Sequence, residues 1–99
     1  MSPPMTPDEL RATLSDDAPP AHVPATVQAL WHDARGDWDR AHRIAQDIDD
    51  AAGARVHAYL HRKEGDLANA SYWYRRAARE RPELSLEAEW AQIVEELLR

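Results

Sequence analysis

Three side chains in this 99-residue sequence are spaced as metal ligands. His57 and His61 are four apart and Glu64 follows three later, so on a helix all three share roughly one face. Two imidazoles and a carboxylate on one face suit a divalent cation, and the same groups could run a general acid–base pocket. The structural alternative is a set of half-buried imidazoles, each bonded to a carbonyl, a carboxylate or Tyr59. The helical zinc-protease signature is absent, because it needs glutamate directly after the first histidine and Ala58 stands there. With no cysteine in the chain, thiolate zinc sites, disulfides and cysteine nucleophiles are excluded.

A second chemical signal is the run Tyr72-Trp73-Tyr74-Arg75-Arg76, with Arg79 beyond it. Aromatic rings interleaved with arginine can stack bases or grip a carboxylate. Consecutive helical residues point in different directions, so Tyr74 is expected inward, with Tyr72, Arg75, Arg76 and Arg79 nearer solvent. The net charge of −6 argues against nucleic acid, whose phosphate backbone needs a positive surface. That charge is uneven: residues 1–34 and 83–99 each carry −4, and residues 65–82 carry +2. Acidic ends bracketing a basic centre imply either an acidic partner or a chain that folds back on itself.

The elements that must position these groups follow from prolines, glycines and apolar spacing. A chain of this size, 43% hydrophobic and 30% charged, makes one globular domain. It has no apolar run of about 18 residues and no secretory leader pattern, so the expectation is a cytoplasmic protein that avoids membranes. Only ten residues are Val, Ile or Thr, and no run alternates apolar with polar, so strands are not expected. Thr6-Pro7-Asp8-Glu9 reads as a capped start for a short helix anchored by Leu10 and Leu14 and ending before Pro19-Pro20. Further helices are expected over Pro24–Arg35, Trp38–Asp49, Ala54–Glu64 and Leu67–Arg79, with Gly53 in a loop. Ser85 caps the last one, whose apolar face is Leu86, Trp90, Ile93, Val94, Leu97 and Leu98. The fold class is therefore all-α with about six helices. Residues 1–22 form a partly disordered N-terminus with a short helix (Met1 to Met5 frayed), and residues 23–99 a single helical domain. Trp38 and Trp73 are expected as core.

A shift of 29 residues lays Ala29-Leu30-Trp31-His32 on Ala58-Tyr59-Leu60-His61, and Gly36-Asp37 through Ala41 on Gly65-Asp66 through Ala70. Each copy is a helix, a Gly-Asp turn and a second helix. Glycine accepts the left-handed residue that ends the first helix, and aspartate caps the next. His32 is then the counterpart of His61, and Gln28 that of His57, with His42 opposite on a second helix. Hairpins of this kind bury one side only and stack.

The second copy resembles the tetratricopeptide repeat family. Ala58, Gly65-Asp66, Ala70, Tyr74, Ala77 and Pro82 fall at its small, turn, small, aromatic, small and proline positions. The first copy keeps Ala29, Gly36 and Ala41, and its period is shorter than the family's length of about 34. The stretch from His57 to Arg76 also resembles small bacterial helical proteins. The family resemblance implies two degenerate hairpins with a flanking helix at each end. It also implies a concave peptide groove offering Arg55, Tyr59 and Arg62, with Thr26, Leu30 and Asp33 from the first copy. The family's lysine–asparagine carboxylate clamp is absent. The expected function is a non-catalytic, cofactor-free protein or peptide interaction module using Arg55, Tyr59, Arg62, Tyr72, Arg75, Arg76 and Arg79. The alternatives are a small metal-dependent or acid–base enzyme built on His57, His61 and Glu64, joined by His32 or His42, and a homodimer through Leu86, Trp90, Ile93 and Leu97.

Overall fold

The helix starts are set by short polar side chains that accept the orphan N–H groups of a first turn. Thr6 and Glu9 form a reciprocal capping box ahead of α1 (Pro7–Ala12). Asp37 accepts from Arg40 N at the head of α3 (Trp38–Gln46), and Asp50 from Gly53 N at the head of α4 (Ala51–Glu64). Asp66 does the same for α5 (Leu67–Arg76) and Ser85 for α6 (Leu86–Leu97). Only α2 (Ala25–Ala34) lacks such a bond, since Pro24 sits at its cap. The computed structural model describes residues 4–99, and these six helices, with no strand, are its regular elements. The chain is all-α. The expected fraying of Met1 to Met5 falls partly outside the described residues, and within them Met5 packs half-buried against the core.

Helix ends follow one pattern used three times. Gly36 and Gly65 adopt left-handed conformations (φ 85° and 92°), so Asp37 N–H bonds His32 O and Asp66 N–H bonds His61 O, each at 3.0 Å. The third end puts Ala78 in the left-handed region (φ 57°), with Arg79 N–H on Tyr74 O at 3.0 Å. That cap stops α5 at Arg76, three residues short of the expected end. Gly53, expected in a loop, instead lies in the first turn of α4. A Cβ there would come within 2.2 Å of Ile48 O, so its role is a close approach between the α3–α4 connection and α4.

The helices α2–α3 and α4–α5 form two hairpins hinged at Gly36 and Gly65, and α4 lies centrally, touching α2, α3, α5 and α6. One core cluster draws Leu10 from α1, Val27, Leu30 and Trp31 from α2, Ala41 from α3, Val56 and Leu60 from α4, and Trp90, Ile93 and Val94 from α6. A smaller cluster of Ala58, Ala70 and Tyr74 locks α4 to α5 through two small residues facing one ring. Indole N–H groups tie the layers together: Trp31 donates to Thr13 Oγ1 at 3.0 Å and Trp90 to Leu30 O at 2.9 Å. Trp90 and Ile93 are therefore interior, and Leu86 and Leu97 pack half-buried beside them. Of the four residues expected to offer a dimer seam, two are core and two pack half-buried beside them, where α6 lies against α2 and α4.

Candidate functional site

Successive turns of α4 carry His57 and His61, and α3 presents His42 to them across the gap between the two hairpins. His42 Nε2 and His57 Nε2 are 2.9 Å apart, a distance that requires one nitrogen to donate and the other to accept. Their rings cross at 83° with centroids 4.6 Å apart. The His61 ring lies 4.8 Å from that of His57 and 5.1 Å from that of His42. One potential ligand nitrogen from each of the three falls within 4.8 Å of the others. His57 and His61 are buried and His42 is half-buried, so the cluster opens to solvent on its α3 side.

Two indoles flank the imidazoles. Trp38 stacks on His42 (centroids 4.9 Å, 10°) and donates its N–H to Leu60 O at 2.8 Å, which fixes it against α4. Trp73 stacks on His57 at 3.9 Å and 16°. The sequence reading places both in the core, but both are half-buried, because each covers an imidazole as the wall of the cluster. Glu64 accepts from His61 Nδ1 at 2.7 Å, which leaves the other ring nitrogen for a ligand. Its place is thus behind His61, while His42 completes the histidine set. Asp66 joins His61 and Glu64 in a second, overlapping group in which both carboxylates are exposed.

The electrostatics favour neutral His42 and His57. Burial, then the neighbouring His42 and His61, lower the His57 pKa from 6.5 to about 4. His42 is lowered too, chiefly by burial and next by His61, with Glu64 and Asp39 opposing. Neutral imidazole is the form that ligates a metal.

The other expected site residues divide into three groups. Arg55 and Tyr59 are buried, and Arg62 is largely covered, because α6 lies on the face they were expected to present. Arg55 pairs with Glu96 and Arg62 with Glu89 at 2.7 Å. Glu89 is fully buried and also accepts from Tyr74 Oη at 2.6 Å. Burial of Trp90, Ile93 and Val94 holds α6 there, and its glutamates pair with arginines that would otherwise line a groove. Of the residues expected from the first copy, Thr26, Leu30 and Asp33 are buried as well, Asp33 held by Lys63 at 3.1 Å. Tyr59 borders a cleft of about 400 Å3 with Arg11, Asp33, Lys63, Glu87 and Trp90, and burial followed by Asp33 raises its pKa. The second group is Tyr72 and Arg76, both exposed, with the guanidinium over the rings of Tyr72 and Trp73. The third is Arg75 and Arg79, which with Arg81 border a separate cleft at the end of α5.

The remaining histidines stay apart from the cluster. His32 meets Trp31 edge-on at 5.0 Å, and its pKa is lowered by burial and then by Arg40. His22 is exposed. No helix among the described residues is long and apolar enough to cross a membrane. No protein-family model, curated protein or solved structure matches the chain.

Proposed function

We propose that this protein binds a divalent transition metal at His42, His57 and His61, with Glu64 orienting His61. The convergence of three imidazole nitrogens from two hairpins, each within 4.8 Å of the others, carries the reading. The donor set is all nitrogen, which suits zinc, copper, nickel or iron over calcium or magnesium. Nitrogen ligands about 2.0 Å from a tetrahedral ion stand about 3.3 Å apart. The His42–His57 separation of 2.9 Å therefore opens by only a few tenths of an ångström on loading. Three protein ligands leave a fourth position on the half-buried His42 side. An ion with such an open position acts as a Lewis acid and lowers the pKa of bound water.

The test is titration of the untagged, chelator-stripped protein with cobalt(II), read by its visible absorption, with bound zinc counted by elemental analysis. One equivalent per chain is expected, together with its loss in His57→Ala while the helical circular dichroism is retained. No saturable cobalt signal up to millimolar metal, or undiminished binding in folded His57→Ala, would overturn the proposal.

A further inference from the structure

At the C-terminal end of α5 the chain turns back on itself through a residue poorly suited to the turn. Ala78 holds a left-handed φ of 57°, a conformation that a Cβ disfavours. Its effect is to reverse the chain so that Arg79 and Arg81 border the same cleft as Arg75 on the last turn of the helix. The cleft, of about 230 Å3, is completed by Ser71, Tyr74 and Glu80.

Arginines at a helix C-terminus ordinarily serve the free carbonyls and the dipole. Here the main chain already serves them. Ala77 N–H reaches Trp73 O, Ala78 N–H reaches Arg75 O, and Arg79 N–H reaches Tyr74 O, all at 3.0 Å. The guanidiniums are left to other work. Arg79 shares Glu96 with Arg55, whereas Arg75 and Arg81 have no carboxylate partner within ion-pair distance among the described residues. With Glu96 shared between Arg55 and Arg79 and Glu80 on the rim, the cleft still carries an excess of cations in an otherwise acidic protein, and Arg75 and Arg81 are its members without a carboxylate partner among the described residues. Ser71 contributes a hydroxyl on the wall.

We infer that this cleft binds a phosphate group, held by the guanidiniums of Arg75, Arg79 and Arg81. Guanidinium matches the oxygen geometry of a phosphate through paired N–H donors, and it stays charged at every physiological pH. The cleft is separate from the histidine cluster, so the inference stands or falls independently of the metal.

The experiment uses the untagged full chain, stripped of metal so that phosphate cannot bind through an ion. Inorganic phosphate and phosphoserine are each titrated at low salt and followed by amide NMR shifts. Saturable shifts at residues 71–81 are expected, weakened at least tenfold by Arg75→Gln or Arg81→Gln, and unaffected by Arg43→Gln on α3, a helix that does not touch α5. Added sodium chloride should weaken binding by screening. Equal affinity for the two probes identifies the free ion as ligand, and at least tenfold tighter phosphoserine binding identifies a phosphate carried on a larger molecule. Absence of saturable shifts with either probe, or equal weakening by Arg43→Gln, overturns the inference. Ala78→Gly keeps the turn without the strain and should bind normally. Loss of binding there, with the turn retained in NMR, would also count against it.

Discussion

His32 and His61 occupy equivalent places 29 residues apart, and each gives its carbonyl to the aspartate N–H beyond a left-handed glycine. Their surroundings nonetheless diverge. One turn back from His61 stands a second imidazole, His57, whereas the equivalent place before His32 holds Gln28, whose amide caps Val23 O at 3.0 Å. Across from His61 lies His42 on the second helix of the preceding hairpin. Among the described residues, what precedes the first hairpin is the short α1, which contributes the apolar Leu10. The three imidazoles therefore meet where α3 of one hairpin faces α4 of the next. The matching Gly-Asp turns give His32 and His61 the same local place, and the neighbouring helix sets what each imidazole meets.

The sharpest way to break this contrast is to remove the corresponding histidine from each hairpin. His61→Ala should weaken zinc binding by about 1,000-fold, or about 4 kcal/mol, and His32→Ala should leave it unchanged. Competition with a chromogenic chelator measures both. Equal losses would mean that the ion sits elsewhere. Glu64→Gln should fall between them, at about 10- to 100-fold, as expected of a group that orients a ligand without touching the metal.

Stability offers the next comparison. Gly53 and Pro24 are counterparts at the starts of α4 and α2, yet Gly53 is buried against Ile48 and Pro24 is exposed. Gly53→Ala should cost about 3 kcal/mol in chemical denaturation, because the new methyl meets a backbone carbonyl and the α3–α4 connection must shift. Pro24→Ala should cost well under 1 kcal/mol. Retained metal binding in Gly53→Ala would show that the histidine cluster tolerates displacement of that connection.

The cluster also has a pH signature in the metal-free protein. The folded-state pKa of His57 lies at about 4, below the 6.5 of the unfolded chain, so the unfolded state takes up the proton first. Stability should therefore be full above 6.5 and fall as pH drops toward 4, by about 2 kcal/mol once solvent screening is allowed for. His57→Gln, which imports the residue of the first hairpin, should flatten that slope in urea melts collected with chelator present. His32, lowered by burial and Arg40, adds a slope of the same sign that His57→Gln leaves in place. An unaltered profile in His57→Gln would show that the imidazole is not held neutral by its surroundings.

Much of the architecture was legible because its signals are local. The Gly-Asp turns, the Thr6 and Ser85 caps and the apolar stripes each act within a few residues, and all of them appear in the structure. What escaped sequence reading was set by distant neighbours. Gly53 looked like punctuation, but it is glycine because Ile48 leaves no room for a methyl. Arg55, Tyr59 and Arg62 looked like an open face until α6 returned to cover them. A readable sign of that return was Glu89, a carboxylate beside the apolar stripe that needs partners such as Arg62 and Tyr74 once buried. The histidine spacing marked two members of the cluster. His42 could be placed opposite them but not at 2.9 Å, since that distance depends on how α3 crosses α4.

The three left-handed helix ends give the finest comparison, because they share hydrogen bonds and differ in residue. Gly36 and Gly65 meet no obstruction on their Cα and reach positive φ without steric cost, while Ala78 takes the same turn with a Cβ that the conformation disfavours. Replacing Gly65 with alanine should therefore cost about 1 kcal/mol, and Ala78→Gly should gain somewhat less, because glycine also loosens the unfolded chain. Thermal melts of the two variants and their double mutant measure the balance, and the effects should add, since the two caps share no hydrogen-bonding partner. A gain at Ala78 would locate the strain at the base of the arginine cleft, where a left-handed alanine directs Arg79 and Arg81 toward Arg75. No gain would mean that contacts of the Ala78 methyl offset the backbone cost, and that the first two hinges differ from the third in packing rather than in conformation.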